Sequence, residues 1–491
     1  MERVTESLKS KIMSAEQAAQ LVKSGMSIGL SGFTSVGYPK AVPLALARSG
    51  HAKDLTVLVG AAVGDECDGA LVRSGCMTRR FGHQTNGDLR KAINNGSVGF
   101  SDIHISHFPM NLNQQTLQAV DVAIVECVAI SDEGIYLCAS AGSADAAVRN
   151  ARFVIAEVNT SVPMGIMGMH DIFEVGIPPH AKIIFITKPD DRIGTAYVPC
   201  PPEKIAAVVM TDRLDPPQKF KPVTPATQKI GENVVNFLKG EIDAGRLPEN
   251  PGPIQSGVGS VGNAVLSCLS ASGFRGLSMY TEVMQDAALN LIDQGVFDFV
   301  SSSSVALAAE NRDRFFGNID FYREKIILRP QEISNHPEVV RRLGVIALNT
   351  PVEVDIYGNV NSTHQMGTKM LNGLGGSGDF ARNARISIFA TESTAKDGLI
   401  SCIVPMVSHV DQTEHDVAVV ITEQGIADLR WKTPVERAEL LIENCAHPDY
   451  RPMLREYFEH ALKTSPGKHT PHDLTQALSW HQKFIETGSM K

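Results

Sequence analysis

The sequence predicts an α/β fold of two related domains, each with an open, mostly parallel sheet and flanking helices. Three observations support this prediction. Short apolar runs of strand length alternate with helical segments along most of the 491 residues, as expected for largely parallel sheets. The segment 212–229 is rich in proline and lysine and has no hydrophobic periodicity, so it separates two halves. A short glycine-rich motif occurs in each half.

The N-terminal half begins with a helix and continues with alternating strands and helices. Ser14 and Gln17 have the spacing of a capping box, and we expect the helix that they open to end at Gly25. A strand over 26–32 and a helix over 39–48 follow. The remaining predicted strands of this half lie at 55–60, 120–126, 153–158, 182–187 and 204–209.

The C-terminal half repeats this order after a helix over about 230–245. Its predicted strands lie at 277–282, 297–302, 325–330, 352–357, 386–391, 402–407 and 417–422. A helical tail begins near Pro434. We therefore predict an N-terminal α/β domain over 1–220 and a C-terminal α/β domain over 221–491, the second of which includes the tail.

The glycine-rich motif links the two halves. It reads SGFTSVG at 31–37 and SGVGSVG at 256–262, so five of seven positions are identical. Both copies follow an extended segment and precede a helix. The shared motif in a shared context indicates an internal duplication.

Charge and hydropathy exclude several classes of protein. Lys and Arg total 45 against 54 Asp and Glu, which gives a net charge of −9. Such a chain has no general basic surface for a nucleic-acid backbone or an anionic membrane, so we expect small-molecule substrates. No apolar run reaches the length of a bilayer-spanning helix. Any phosphate that the protein binds must therefore be held by a local arrangement of residues.

The N-terminus and the cysteines predict a cytoplasmic location. The N-terminal segment lacks the apolar core of a signal peptide. The eight cysteines are dispersed and form no C-x-x-C pair, which is typical of a reduced intracellular protein.

The second copy of the glycine motif matches a dinucleotide-binding pattern. Residues 257–262 fit G-x-G-x-x-G, and Glu282 lies twenty residues beyond the last glycine. However, the preceding segment 249–256 contains two prolines, whereas the first strand of such a unit is solidly apolar. We therefore favour a different interpretation, in which backbone amides at a helix N-terminus bind another anion. Dinucleotide binding stays the less favoured alternative.

Another glycine-rich segment and a histidine motif are further candidate ligand sites. Four of the six residues at 373–378 are glycine, so consecutive amides can converge on an anion; a plain loop is the alternative. No lysine followed by Ser or Thr comes after this segment, which excludes a Walker-type nucleotide site. The spacing of His409, Asp411 and His415 fits no common metal pattern, so we predict no metal site.

Glu282 completes a chemically sensible set with the two glycine loops. It ends a predicted strand and precedes a predicted helix. A glutamate can act as a covalent nucleophile, and loop amides can stabilise the oxyanion that its attack creates. Taken alone, Glu282 fits a solvated acid at a strand end better than a nucleophile.

Long segments of the chain resemble the acetyl-CoA hydrolase/transferase family of class I CoA-transferases. The resemblance covers nearly the whole chain and implies a fold of the CoA-transferase type. It is carried by segments at 31–43, 255–265, 280–283, 329–349, 355–363, 370–380, 404–416, 422–430 and 445–454, among them QSGVGSVGNAV, YTEV and MLNGLGGSGDF. Within the family the chain is most similar to bacterial enzymes that exchange CoA between succinyl-CoA and acetate.

The resemblance implies a ping-pong mechanism with Glu282 as the nucleophile. Glu282 attacks the thioester carbonyl to form an acyl-glutamyl anhydride, and the released CoA thiolate then gives a glutamyl-CoA thioester. A second carboxylate reverses these steps. The oxyanion donors that the resemblance implies are the amides of Val258 and Gly376. This mechanism needs no metal or redox cofactor. CoA takes part in it as a substrate.

The resemblance also implies a binding site. It places CoA at Gln255, Ser256, Gly257, Val258, Gly259, Asn372, Gly376 and Lys396. An ammonium such as that of Lys396 can meet a CoA phosphate in an otherwise acidic chain. Asn335 is implied near the acyl group, and Glu423 is a candidate second carboxylate of the site.

Three alternatives stay open at this point. Water can replace the acceptor acid, which gives an acetyl-CoA hydrolase. The exchanged pair can be propionyl-CoA or butyryl-CoA with succinate, and here Ala62 bears on the choice because relatives often carry Ser at this position. A non-catalytic sensor of CoA esters is the third alternative, although a pure binder needs no Glu282. The family suggests a homodimer.

Overall fold

The chain folds into two compact units in a computed structural model that describes residues 2–116, 118–219 and 222–491. The first unit takes in the chain up to Lys219 together with Ser278–Ile292 and Asp298–Leu343. The second unit takes in the remaining segments, which end at Leu277, Phe297 and Lys491. The predicted boundary between 220 and 221 lies outside the described residues.

The segment that carries Glu282 belongs to the first unit, whereas we expected it in a C-terminal domain over 221–491. Backbone hydrogen bonds explain the difference. Ala141 N–H donates to the carbonyl of Ser303 at 2.9 Å, and Val305 N–H donates to the carbonyl of Ala139 at 3.0 Å. The chain therefore returns to the first unit after residue 277, and two consecutive segments do not describe the arrangement.

Residues 2–219 form both strands and helices. The strands are β1 Ser27–Leu30, β2 Phe33–Thr34, β3 Leu55–Leu58, β4 Ala61–Ala62, β5 Met77–Phe81, β6 Gly99–Ser101, β7 Val122–Ile130, β8 Gly134–Leu137, β9 Phe153–Asn159, β10 Val198–Pro199 and β11 Ile205–Thr211. The helices are α1 Ala15–Ala19, α2 Ala41–Ser49, α3 Ala70–Arg73, α4 Gly87–Asn94, α5 His107–Asn113 and α6 Ala144–Asn150. Short helical turns span Glu6–Lys11, Asp65–Gly69, Met164–Ile166 and Pro202–Lys204.

The sheet of this segment is parallel through most of its width. The order β11-β9-β7-β1-β3-β5-β6 consists of parallel pairs, for example Ile28 beside Val57 on one side and beside Val122 on the other. All nine residues of β7 are buried, as expected for a strand covered on both faces. β8 and β10 extend the far end of β7 in antiparallel pairing.

The strand predicted at 182–187 is wrong. The segment carries no strand pairing, and the carbonyls of Ile184 and Ile186 instead accept hydrogen bonds from the Arg342 guanidinium at 2.6 and 3.0 Å. Ile183 and Phe185 are exposed. Apolar residues therefore alternate between buried and exposed positions in this segment, but the segment pairs with no strand among the described residues.

Residues 222–343 alternate between the two units. The strands are β12 Ile254–Ser256, β13 Leu277–Tyr280, β14 Val283–Met284, β15 Phe297–Ser302, β16 Ser304–Val305 and β17 Ile326–Leu328. The helices are α7 Pro225–Asp243, α8 Ser260–Ser270, α9 Asp286–Asp293, α10 Ala309–Gly317, α11 Ile319–Arg323, α12 Gln331–Ser334 and α13 Pro337–Leu343. In the first unit β15 pairs in parallel with β17, and β14 pairs in parallel with β16.

Residues 344–491 complete the second unit. The strands are β18 Ile346–Asn349, β19 Glu353–Asp355, β20 Val360–Asn361, β21 His364–Gln365, β22 Lys369–Met370, β23 Ile386–Ala390, β24 Thr394–Ala395, β25 Ile400–Ser401, β26 Ile403–Val404, β27 Val419–Ile421 and β28 Ile426–Asp428. The helices are α14 Ser377–Asn383, α15 Pro434–Asn444, α16 Arg451–Thr464 and α17 Ser479–Thr487, with a short turn at Glu414–Asp416.

The sheet of the second unit is also mostly parallel. β12, β18, β23 and β27 pair in parallel in that order, and β28 closes the edge in antiparallel pairing. The residues of β18 and β23 are buried throughout. The predicted α/β class, with large parallel sheets and flanking helices, is confirmed. Among the helices of the described residues, none has both the length and the hydropathy that a bilayer span requires.

Candidate active site

Glu282 lies just after β13 in the first unit and is largely buried, with 9% of its surface exposed. Its backbone carbonyl accepts hydrogen bonds from Ser303 N–H at 2.9 Å, Ser304 N–H at 3.1 Å and the Ser302 hydroxyl at 3.0 Å. These donors come from the turn between β15 and β16. The peptide that carries the carboxylate is therefore held by three hydrogen bonds from one turn, which favours one side-chain placement.

Asn335 contacts the Glu282 carboxylate directly. Its amide nitrogen Nδ2 donates to Oε1 of Glu282 at 2.8 Å, and the asparagine is fully buried at the end of α12. Ser334 donates from its hydroxyl to the Asn335 amide oxygen at 2.8 Å. Because that oxygen is engaged, the NH2 group faces the carboxylate. The structure thus brings together the predicted nucleophile and the predicted acyl-site residue.

Two buried side chains fix the elements that carry this pair. The Tyr280 hydroxyl at the end of β13 donates to the carbonyl of Ile333 on α12 at 2.6 Å. Burial raises the pKa of this hydroxyl, so it stays a donor across the physiological range. Arg329 donates from Nε to the Ser301 hydroxyl at 2.9 Å and forms a buried ion pair with Asp171.

Sequence reasoning missed the supporting residues Ser302 and Ser334. Both are buried within the first unit. A signal was present, since residues 301–304 are four consecutive serines at the end of a predicted apolar strand. Buried hydroxyls of this kind need partners, and here Ser302 finds one in the Glu282 carbonyl.

The first glycine loop lies in the second unit, between β12 and α8. Gln255 is fully buried and accepts the Leu348 N–H at 3.0 Å, and Gly257 N–H donates to the Leu348 carbonyl at 2.9 Å. Gly259 has φ +137°, a conformation that side chains rarely adopt, and as the N-cap residue it brings no side-chain acceptor to α8. Val258 is 53% exposed. The loop therefore places an exposed residue directly before the N-cap residue of α8.

The second glycine loop leads into α14 in the same unit. The Asn372 amide donates to the carbonyls of Ser362 at 3.2 Å and Gly373 at 3.0 Å, and Gly376 is the N-cap residue of α14. α14 precedes the parallel strand β23, so its N-terminus faces the carboxyl ends of the strands, as does that of α8, which follows β12. Both loops therefore lie at the sheet edge where ligands of parallel sheets bind.

Lys396 and Glu423 also lie in the second unit. Lys396 is exposed, and its ammonium lies 4.8 Å from the ring centroid of Phe484. The half-buried Glu423 carboxylate accepts hydrogen bonds from Ser393 N–H at 2.8 Å, from the Ser393 hydroxyl and from the Gln424 amide at 2.9 Å. Glu423 is thus held as an acceptor by its own unit.

The predicted site residues divide between the units, with Glu282 and Asn335 in the first and the others in the second. Within the described residues, no cluster of three or more His, Cys, Asp or Glu is arranged to hold a metal ion. Chemically, the first unit offers a fixed carboxylate and the second offers loop amides and an exposed cation.

Two models of one protein family match this chain. A family model of the acetyl-CoA hydrolase/transferase N-terminal domain matches residues 1–210, and one of the C-terminal domain of the same family matches residues 312–458. The succinyl-CoA:acetate CoA-transferase of Clostridium kluyveri is 52% identical over 99% of this chain and 91% of its own length.

Further relatives carry other activities in their names. The acetyl-CoA hydrolase of Schizosaccharomyces pombe is 42% identical over 99% of this chain and 98% of its own length. The propanoyl-CoA:succinate CoA transferase of Escherichia coli is 42% identical over 97% and 98%, respectively. Among solved structures, the 4-hydroxybutyrate CoA-transferase of Porphyromonas gingivalis has a TM-score of 0.65 at 23% identity, covering 93% of this chain and 99% of that one. This likeness shows the same fold.

Proposed function

Because the chain belongs to the acetyl-CoA hydrolase/transferase family, we propose that it transfers CoA between an acyl-CoA and a small carboxylate, with succinyl-CoA and acetate as the exchanged pair. The observation that carries this proposal is the buried Glu282 carboxylate with the Asn335 amide 2.8 Å from Oε1. The pair of acids is taken from the relative that is 52% identical.

The proposed reaction proceeds through two covalent states of Glu282. The carboxylate adds to the thioester carbonyl, the C–S bond breaks, and the CoA thiolate departs. An acyl-glutamyl anhydride remains on Glu282. The thiolate then adds to the glutamyl carbonyl, which releases the first acid as its carboxylate and leaves a glutamyl-CoA thioester. The second carboxylate reverses both steps. The Asn335 amide holds one carboxylate oxygen, so the plane of the nucleophile is set before the substrate arrives.

Each addition creates an oxyanion, and we assign its stabilisation to the amides of Val258 and Gly376. Each amide lies at the N-terminus of a helix, where unpaired N–H groups and the helix dipole favour negative charge. We assign the CoA chain to Gln255, Ser256, Gly257, Gly259 and Asn372, and a CoA phosphate to Lys396. Glu423, already held by Ser393, is assigned to the acyl end. No metal or redox cofactor takes part, and we propose a homodimer.

Hydrolysis is the second candidate, and the hydrolase name of a relative 42% identical over nearly the whole chain favours considering it. In that reaction water attacks the glutamyl intermediate. The two activities differ in one measurement, which is CoA release from acetyl-CoA without added carboxylate. A transferase releases little CoA until acetate or succinate is present. Equal release with and without acceptor acid contradicts transfer. Propionyl-CoA and butyryl-CoA with succinate are tested in the same assay.

Intact mass after mixing the protein with an acyl-CoA and no acceptor tests the mechanism itself. We expect a covalent CoA adduct that maps to Glu282 and is missing in Glu282→Ala. Glu423→Ala serves as a comparison, since that variant keeps the nucleophile and retains the adduct. An active preparation without any adduct overturns the covalent mechanism. Parallel double-reciprocal plots are the kinetic counterpart.

A further inference from the structure

Lys396 lies in a strained turn of the second unit. β24 and β25 form a hairpin in which Thr394 pairs with Ser401. Between them Lys396, Asp397 and Gly398 have φ angles of 50°, 54° and 82°. Left-handed conformations are costly for residues with side chains and persist only where the surroundings enforce them, often at ligand clamps. Positive φ angles are usual in tight hairpin turns, but Lys396 and Asp397 carry side chains, so contacts with the rest of the unit must hold this turn.

The C-terminal helices hold this turn. The Tyr450 hydroxyl, at the start of α16, donates to the Gly398 carbonyl at 2.9 Å. Beyond α17, Met490 N–H donates to the Leu399 carbonyl at 2.9 Å, and Met490 is fully buried. Two separate parts of the C-terminal segment thus fix consecutive carbonyls of the hairpin.

Two neighbouring lysines make different contacts with this C-terminal segment. The Lys491 ammonium forms an ion pair with Asp449 at 2.5 Å. The Lys396 ammonium instead lies 4.8 Å from the centroid of the Phe484 ring on α17, within the range of a cation–π interaction. An aromatic face orients a cation without neutralising it. The ring therefore restricts where the long Lys396 side chain points, while the exposed side chain stays accessible to an anionic ligand.

We propose that Phe484 is a positioning residue that holds Lys396 for the phosphates of an acyl-CoA. The inference rests on the proposed function, because that function supplies the phosphate ligand. Helix α17 then takes part in binding the nucleotide end of the substrate, at a position that no glycine motif marks. Phe484 itself acts through Lys396 and does not act on the reacting carbonyl.

The test compares acetyl-CoA with S-acetylpantetheine, which has the same thioester but lacks the nucleotide and all phosphates. We expect Phe484→Leu to raise KM for acetyl-CoA about two- to fivefold, the range of an exposed cation–π contact, and to leave kcat unchanged. KM for S-acetylpantetheine stays at the wild-type value. Phe484→Tyr keeps the aromatic face and restores KM. The exposed neighbour Ile485→Ala, 57% exposed, is the matched control without effect.

The outcomes separate this inference from the proposed function. Calorimetric Kd values for CoA and for pantetheine, in wild type and Phe484→Leu, need no turnover, and we expect only the CoA value to weaken. Equal changes for both ligands indicate a merely structural role and overturn the inference, as does no change for either. If the wild type shows no transferase activity but Phe484→Leu still weakens binding of CoA and not of pantetheine, transfer is refuted and the inference stands. Phe484→Met provides the same comparison if the leucine variant does not fold.

Discussion

The two copies of the glycine motif end in different electrostatic surroundings. In the first unit, the amides of Lys40, Ala41 and Val42 at the start of α2 all donate to the Glu157 carboxylate, at 2.8, 2.9 and 2.6 Å. In the second unit, α8 begins after Gly259, which has no side chain to accept such bonds. The first copy thus lies before a helix whose first amides donate to the Glu157 carboxylate. The second copy runs into α8, whose N-cap residue is a glycine.

The buried charges around the first copy extend this difference. The Lys40 ammonium lies 2.7 Å from both the Glu126 and the Asp215 carboxylates, and Asp215 also accepts the Gly37 N–H at 3.1 Å. A helix N-terminus attracts one anion, and here the chain supplies it. A duplicated motif therefore gives a structural element in one half and, in our proposal, a ligand site in the other. The predictions below test that division of roles.

The largest expected effect is on stability, through the first copy. Glu157→Ala removes the acceptor of three buried amides, and we expect the free energy of unfolding to fall by about 3–5 kcal/mol, as for a broken buried charge network. Urea unfolding followed by circular dichroism measures it. Glu157→Gln keeps one acceptor oxygen and is expected to lose less. A loss below about 1 kcal/mol in the alanine variant contradicts the capping role.

The second expected effect is a loss of turnover, and it is tested in the second copy of the glycine motif. Val258→Pro removes the N–H assigned to the oxyanion, and we expect kcat for CoA transfer to fall about 10²–10³-fold. Val258→Ala is the matched control, since it keeps the amide and has near wild-type kcat. Melting temperatures of both variants show whether the loss is chemical. A proline variant that melts like wild type and retains full kcat rules out this amide as a donor.

A smaller loss of stability is expected from a substitution at Gly259. With φ at +137°, Gly259→Ala forces a side chain into a rare conformation, which costs about 1–3 kcal/mol. Gly257→Ala is the comparison, because no positive φ applies there and its added carbon meets the Leu348 carbonyl at an ordinary 3.5 Å. Chemical denaturation of both variants gives the difference. Equal stability of the two variants means that the loop tolerates another backbone path.

The last expected effect is a dependence of stability on pH, and it concerns Glu126. Burial and the nearby Asp215 raise the pKa of Glu126 to about 8 from an ordinary 4.5, although Lys40 opposes the shift. A carboxyl with a raised folded pKa binds its proton more tightly in the native state, so stability is highest below pH 4.5 for this group. That contribution declines as pH rises towards 8. We expect Glu126→Gln to flatten this slope in unfolding measured across the interval; an unchanged slope assigns it to other groups.

Local patterns correctly placed most of the strands that they predicted, but they missed others, such as β5, β12 and β18, and did not give the path of the chain. The apolar run at 386–391 became β23 over Ile386–Ala390, because a buried strand leaves a continuous apolar signature. The run at 182–187 has a similar signature, yet a distant arginine binds its carbonyls in place of a strand. Such a partner is not visible in a short window of sequence.

The candidate site shows the same limit. The type and position of Glu282 followed from the strand-end motif and the family resemblance, whereas its contact with Asn335 bridges 53 positions of the chain. Residues 303–305 pair with residues near 140, and the Glu282 carbonyl in turn accepts hydrogen bonds from Ser303 and Ser304, so distant contacts set the unit to which residues 278–292 belong. Contacts of long sequence separation are set by the whole fold, so no local motif could have predicted them.

The return of the chain to the first unit has a consequence for biosynthesis. A ribosome that has released residues up to Lys219 has not yet made β13–β17, although most of their residues belong to that unit. The residues of the core clusters around the N-terminal sheet all lie before residue 210, whereas the hydrogen bonds between residues 139–141 and 303–305 form only after Val305 has been made. Late completion of this kind slows folding and exposes partly folded chains to aggregation. Fragments cut at residue 219 are thus expected to be poor substitutes for the first unit.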